Sequence, residues 1–201
     1  GSQLKRIYTE AFFNCTALRE LILPEGFTTF NRALSKNQSP LGNCLNLSVI
    51  SLPSTLEVLP KYAIVDCYSD LTLGLEHLYI NNLNMVMEDD CVSGCYNAYI
   101  HAAVGSTAQT YCEEITYLYG LFEGANDPYL KSGARFNCDM TGEDTHHALV
   151  PFEKLTTGPM HGYECAICHY RVQYYQGNDP ICGESTTSPH AKHSFTATKV
   201  S

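Results

Sequence analysis

The chain has 201 residues and a formal net charge of −9, long enough for one or two domains with a sizeable core. That acidity argues against a nucleic-acid-binding face. No run of apolar residues is long enough for a membrane span, and no signal peptide is visible. The ten cysteines leave two chemistries open: disulfides in a secreted chain, or buried thiols plus a metal site.

Gly1-Ser2 reads as a cloning remnant, and the residues after it fall within a repeat, so further upstream sequence is expected. Ile7, Ala11 and Phe12 have the spacing of a short turn or helix packed on the strand that follows. Asn14-Cys15-Thr16-Ala17-Leu18-Arg19-Glu20-Leu21-Ile22-Leu23-Pro24 then repeats at a constant offset as Asn43-Cys44-Leu45-Asn46-Leu47-Ser48-Val49-Ile50-Ser51-Leu52-Pro53. A repeat of this period marks a stacked architecture. The alternation puts Leu21 and Leu23 inward and Glu20 and Ile22 outward on a short strand, 19–23. Its counterpart is 48–52. Pro24-Glu25-Gly26 ends the first strand as a turn, and Phe27 and Phe30 lead to the next unit. Residues 35–42, polar and turn-rich, read as an inserted surface loop.

A third unit runs from Cys67 to a strand at 75–80, across a longer connection. A fainter fourth unit is Cys95-Tyr96-Asn97-Ala98-Tyr99-Ile100. Cys15, Cys44 and Cys67 share one slot of the repeat, and small buried fillers are expected there. After Val104-Gly105, Ser106 or Thr107 can cap a helix that closes the end of the stack. Cys112 and His101 read as packing at that end. Residues 116–137 form a transition or linker. From 138 the composition turns to cysteine and histidine, which argues for a second, small module at 138–201.

The pattern Ala11-Phe12-Phe13-Asn14-Cys15…Leu18…Leu21…Leu23-Pro24 resembles the BspA-like leucine-rich repeat, and 100–111 resembles the unit that commonly ends such arrays. The resemblance covers about residues 3–115. It implies a mixed α/β fold: a short leucine-rich-repeat solenoid (a right-handed coil with a short parallel sheet), followed by a small, mostly β or irregular Cys/His-rich module. Members of that family are typically secreted or cell-surface proteins of host-associated bacteria. This implies an extracellular or cell-surface location and adhesion to a protein or glycan partner, without catalytic residues. His161-Gly162-Tyr163-Glu164-Cys165-Ala166-Ile167-Cys168 is similar to small C-x-x-C modules appended to bacterial surface proteins.

The candidate ligand-binding face consists of the outward strand positions Glu20, Ile22, Val49, Ser51, His77, Tyr79, Asn97 and Tyr99, which stacking would arrange in columns. Glu88-Asp89-Asp90 is read as a solvated loop in preference to a calcium site. Cys165 and Cys168 supply two thiolates at zinc-ligand spacing, with His161 and His147 as the other expected ligands and His146, His169, Cys138 and Cys182 as further donors. A structural zinc, a disulfide and free or redox-active thiols all fit that motif. The expected function is a non-catalytic binding or adhesion module that contacts a host or cell-surface protein or glycan. The alternatives are a structural spacer or stalk, and a Cys/His enzyme.

Overall fold

The computed structural model describes residues 4–67, 74–95, 98–114, 135–140, 149–156, 158–168 and 171–174, with only the backbone described at 149–156, 158–164 and 171–174. The chain divides into two compact units, residues 1–145 and 146–201. The first unit carries strands β1 (Arg6–Ile7), β2 (Glu20–Ile22), β3 (Thr29–Phe30), β4 (Leu41–Gly42), β5 (Val49–Leu52), β6 (Val58–Leu59), β7 (Ile64–Val65), β8 (His77–Ile80), β9 (Val86–Met87), β10 (Val92–Ser93), β11 (Tyr99–His101) and β12 (Arg135–Asn137). The second carries β13 (Leu149–Thr156), β14 (Gly158–Cys165) and β15 (Arg171–Tyr174).

Among the described residues every strand pair in the first unit is parallel. The largest sheet has the order β2-β5-β8-β11-β12, and smaller ones are β4-β7-β10, β6-β9 and β1-β3. The fold class is therefore mixed α/β with mostly parallel strands and little helix. In the five-stranded sheet Leu21 lies in register with Ile50, Ile50 with Leu78, Leu78 with Ile100 and Ile100 with Phe136. Side chains alternate across a strand, so this register stacks one apolar column beneath the sheet. Ile50, Leu78 and Ile100 are fully buried, while Leu21, on the edge strand, is half-buried.

The choice of Asn, Asp or Gly before the cysteine at the head of each repeat has a backbone cause. Asn14, Asn43, Asp66 and Gly94 adopt positive φ of 60°, 54°, 52° and 67°, a region that Asn, Asp and Gly tolerate best. The side-chain amide of Asn43 donates to Asn14 Oδ1. The left-handed turn aims the next residue inward, and Cys44, Cys67 and Cys95 are buried in a column. The Cys44 thiol donates to the Phe12 carbonyl at 3.0 Å, and that of Cys67 to the Leu41 carbonyl at 3.3 Å. Cys44 and Cys67 are the expected core fillers, whereas Cys15, at the same slot of the first repeat, is only half-buried.

The expected surface loop at 35–42 is corrected in its second half. Residues 34–37 are exposed, but Ser39, Pro40, Leu41 and Gly42 are buried, and Leu41–Gly42 pairs with Ile64–Val65 as β4. Ser39 is held inside because its hydroxyl donates to the Ala63 carbonyl and accepts from the Leu41 N–H. Gly42 is required because a Cβ there would lie 2.5 Å from the Phe13 ring. The early apolar residues meet the expectation in part: Phe12, half-buried, lies in the expected turn, but Ile7 and Ala11 differ. Ile7 lies in β1, residues 9–14 form turns, and Ala11 faces solvent.

Residues 107–114 are helical. Ser106 is the N-cap: its hydroxyl accepts from the Gln109 N–H, while the Gln109 side chain accepts from Gly105 N–H, a reciprocal arrangement close to a capping box. Among the described residues no helix is long and apolar enough to cross a membrane.

In the second unit β13, β14 and β15 form an antiparallel sheet in which Leu149 faces Cys165 and His161 faces Tyr174. Cys165 ends β14, and 166–168 turn.

Candidate binding face

The outer side of the five-stranded sheet carries two columns. One runs Glu20, Val49, His77, Tyr99, Arg135, and the other Ile22, Ser51, Tyr79, His101, Asn137. Glu20 and Ile22 are exposed, Ile22 to 64%. Val49, Ser51, His77, Tyr79 and Tyr99 are half-buried. Asn97 lies outside the described residues.

The fourth rung differs from the expected one. Tyr99 stands beside His77, not beside Tyr79, and His101 takes the place next to Tyr79. The reason is a missing residue. Both Ser48 and Val49 donate their N–H to the Arg19 carbonyl, and both Glu76 and His77 donate to that of Ser48; in the fourth repeat Tyr99 alone donates to Glu76. Losing that extra residue moves the strand relative to its cysteine. His101, expected as end packing, is instead fully buried within the outer column. Arg135 carries no signal in the sequence, because Arg135-Phe136-Asn137 has no repeat motif.

His101 organises this end of the sheet. Its Nδ1 lies 2.6 Å from the Asp139 carbonyl, and its Nε2 lies 2.9 Å from His77 Nδ1. A carbonyl only accepts, so Nδ1 of His101 carries the proton. In the neutral pair Nε2 of His101 then accepts from Nδ1–H of His77, which leaves the His77 Nε2 lone pair as an acceptor. Asp139 is positioned by its own N–H, which donates to Asn137 Oδ1 at 2.8 Å. The Tyr79 and His101 rings stack with centroids 4.5 Å apart. Arg135 extends the row: its guanidinium lies 5.1 Å from the Tyr99 centroid and donates to Tyr99 Oη at 3.1 Å.

Comparison with family models, with curated proteins and with solved structures found no match for the chain.

The cysteines of the first unit make poor nucleophiles. The hydrogen bond with Cys67, followed by burial, pushes the Cys44 thiol well up. At Cys67 the bond from Cys44 lowers the value, but Cys95 and burial outweigh it and the net shift is upward. Burial pushes Cys91 up to about 12 and raises Cys112 strongly. All four are protonated at neutral pH, and the thiolate is the reactive form.

In the second unit the sulfurs of Cys165 and Cys168 lie within 4.8 Å of each other, with Cys165 buried and Cys168 half-buried. This pair could hold a metal ion at two corners of a tetrahedral site. His161 is placed on β14 by its backbone alone, and Cys138 belongs to the first unit, half-buried. His147, His146, His169 and Cys182 lie outside the described residues. The acidic run at 88–90 is engaged with cations: Glu88 pairs with Arg32 at 3.0 Å and accepts from the Lys61 N–H, and Asp90 pairs with Lys61 at 3.2 Å. Asp89 and Asp90 are exposed, as a solvated loop requires, whereas Glu88 is half-buried.

Proposed function

We propose that the first unit is a short leucine-rich-repeat solenoid of the BspA-like kind, acting outside the cell as a non-catalytic binding module. Its partner is a host or cell-surface protein or glycan, held against the outer columns of the five-stranded sheet. The observation that carries this reading is the register itself. It lines up two columns on parallel strands, eight of whose positions reach the surface, while Ile50, Leu78 and Ile100 beneath stay buried. A surface of this kind suits wide recognition better than a deep pocket does, and tyrosine is enriched where proteins bind. The raised thiols of Cys44, Cys67, Cys91 and Cys112 weigh against an enzyme built on those cysteines.

The test is binding of the immobilised chain to a panel of extracellular-matrix proteins and glycans, repeated with Ile22→Asp and Tyr79→Ala. Ile22 is exposed, so its replacement leaves the fold intact. Either change is expected to weaken binding of the true partner about tenfold, a loss of about 1.4 kcal/mol. A partner whose affinity neither change alters does not use this face.

Zinc bound by Cys165 and Cys168, and completed by donors such as His161 and His147, would be structural, since it replaces a core in a small module. Metal analysis is expected to find about one zinc per chain, lost on Cys165→Ser. Protein purified without chelator that carries no zinc removes this assignment.

A further inference from the structure

We propose that the Arg135 end of the face binds an acidic sugar, a saccharide that carries a carboxylate beside free hydroxyls. The proposal rests on reading the outer face as a binding surface, and it names the ligand class for one end of it. Arg135 is half-buried, and among the described residues it meets no carboxylate. Arg32, Lys36 and Lys61 each pair with an acid; Lys5, Arg6 and Arg19 have no ion pair among the described residues either, but all three are exposed, whereas Arg135 is half-buried. In a chain of net charge −9, an arginine held off from every described carboxylate is a ready anion site. The only acid in the two columns is Glu20, four strands away, or about 19 Å at about 4.8 Å per strand.

Tyr99 holds the guanidinium by a cation–π contact and by one hydrogen bond. The planar fork carries five donors, so enough remain to grip a carboxylate with two parallel bonds. Two strands away on the same column, His77 has committed Nδ1 to His101, and its Nε2 offers a lone pair. The site therefore asks for an anion at one point and a hydrogen-bond donor at another. An aspartate or glutamate side chain held by Arg135 supplies acceptors only and carries no hydroxyl to donate to His77, two strands away. A carboxylated sugar supplies both the carboxylate and the hydroxyl. Protein partners, moreover, usually seat an apolar anchor in a desolvated centre. The exposed apolar residue of this face is Ile22, on the strand at the opposite edge.

The experiment is calorimetric titration of the full chain with sialyllactose, a glucuronate-containing disaccharide, lactose and a glutamate-rich hexapeptide. At least one acidic sugar is expected to bind tenfold or more tighter than lactose and than the peptide. Arg135→Gln should lose that margin, whereas Arg135→Lys should keep part of it. The comparison of ligands on the unaltered chain stands even if a variant folds poorly. Equal binding of acidic and neutral sugars, tighter binding of the peptide, or a margin that survives Arg135→Gln in a folded protein overturns the proposal. A partner that needs Ile22, found together with no preference for acidic sugars, overturns this assignment alone and leaves the face as a binding surface.

Discussion

Leu78→Ala is expected to cost the first unit about 2–5 kcal/mol, the range for emptying a fully packed leucine site, and Leu21→Ala clearly less. Both residues occupy the same column of the same sheet, and they differ in what covers them. Leu78 is fully buried, with Ile50 on one side and Ile100 on the other. Leu21 is half-buried on the edge strand and has Ile50 on one side only. A cavity at Leu78 therefore loses contacts from two neighbouring strands and has rigid backbone around it. The site at Leu21 can collapse or fill with water. Urea unfolding of the two variants against the parent measures the difference. Equal losses would mean that the two leucines do not sit in one graded stack, and the repeat reading would fall with that result.

The repeat was legible because its period is written into both backbone and side chains. The offset between the two Asn-Cys motifs recurs as the strand register Glu20 to Val49. It recurs again in side-chain bonds across the same separation: Asn43 to Asn14, Ser48 to Arg19, Ser54 to Glu25 and Asn81 to Leu52. Apolar alternation placed Leu21, Ile50 and Leu78, because burial on one face leaves a period of two in any strand. The smaller sheets left no such trace. β4, β7 and β10 are two residues each, too short for an alternation to be read, and they are held by main-chain bonds that any residue can make. Ser39 and Pro40 looked like loop residues because composition does not report a buried hydroxyl whose bonds are satisfied by Ala63 and Leu41.

The binding face was legible only in part for the same physical reason. Glu20, Ile22, Val49, Ser51, His77 and Tyr79 follow from alternation within clear repeats. Tyr99 was found but placed one column over, since the missing residue ahead of β11 is a main-chain event. The signal available was the gap between Cys95 and Ile100, one residue shorter than that between Cys44 and Ile50. For Arg135 there was no signal, because β12 joins the sheet from a distant part of the chain and its only apolar rung is Phe136.

His101→Phe is the second large effect expected, a loss of about 1–3 kcal/mol for the buried carbonyl it leaves without this donor. Phenylalanine nearly matches the ring, so the stacking on Tyr79 at 4.5 Å survives and the change isolates the nitrogens. Nδ1–H of His101 is the donor to the Asp139 carbonyl at 2.6 Å, in surroundings where both residues are buried. His77 is half-buried and can turn to water when Nε2 of His101 is gone, so its share of the loss is small. The chain of bonds from Asp139 through His101 to His77 links the end of β12 to β8, so the variant should also loosen Arg135 and weaken whatever binds there. Nitrogen NMR of the parent is expected to find the proton on Nδ1 when both imidazoles are neutral, the tautomer that the Asp139 carbonyl imposes. A His101 protonated on Nε2 alone, or a phenylalanine variant as stable as the parent, would show that this chain of bonds does not hold the two strands together.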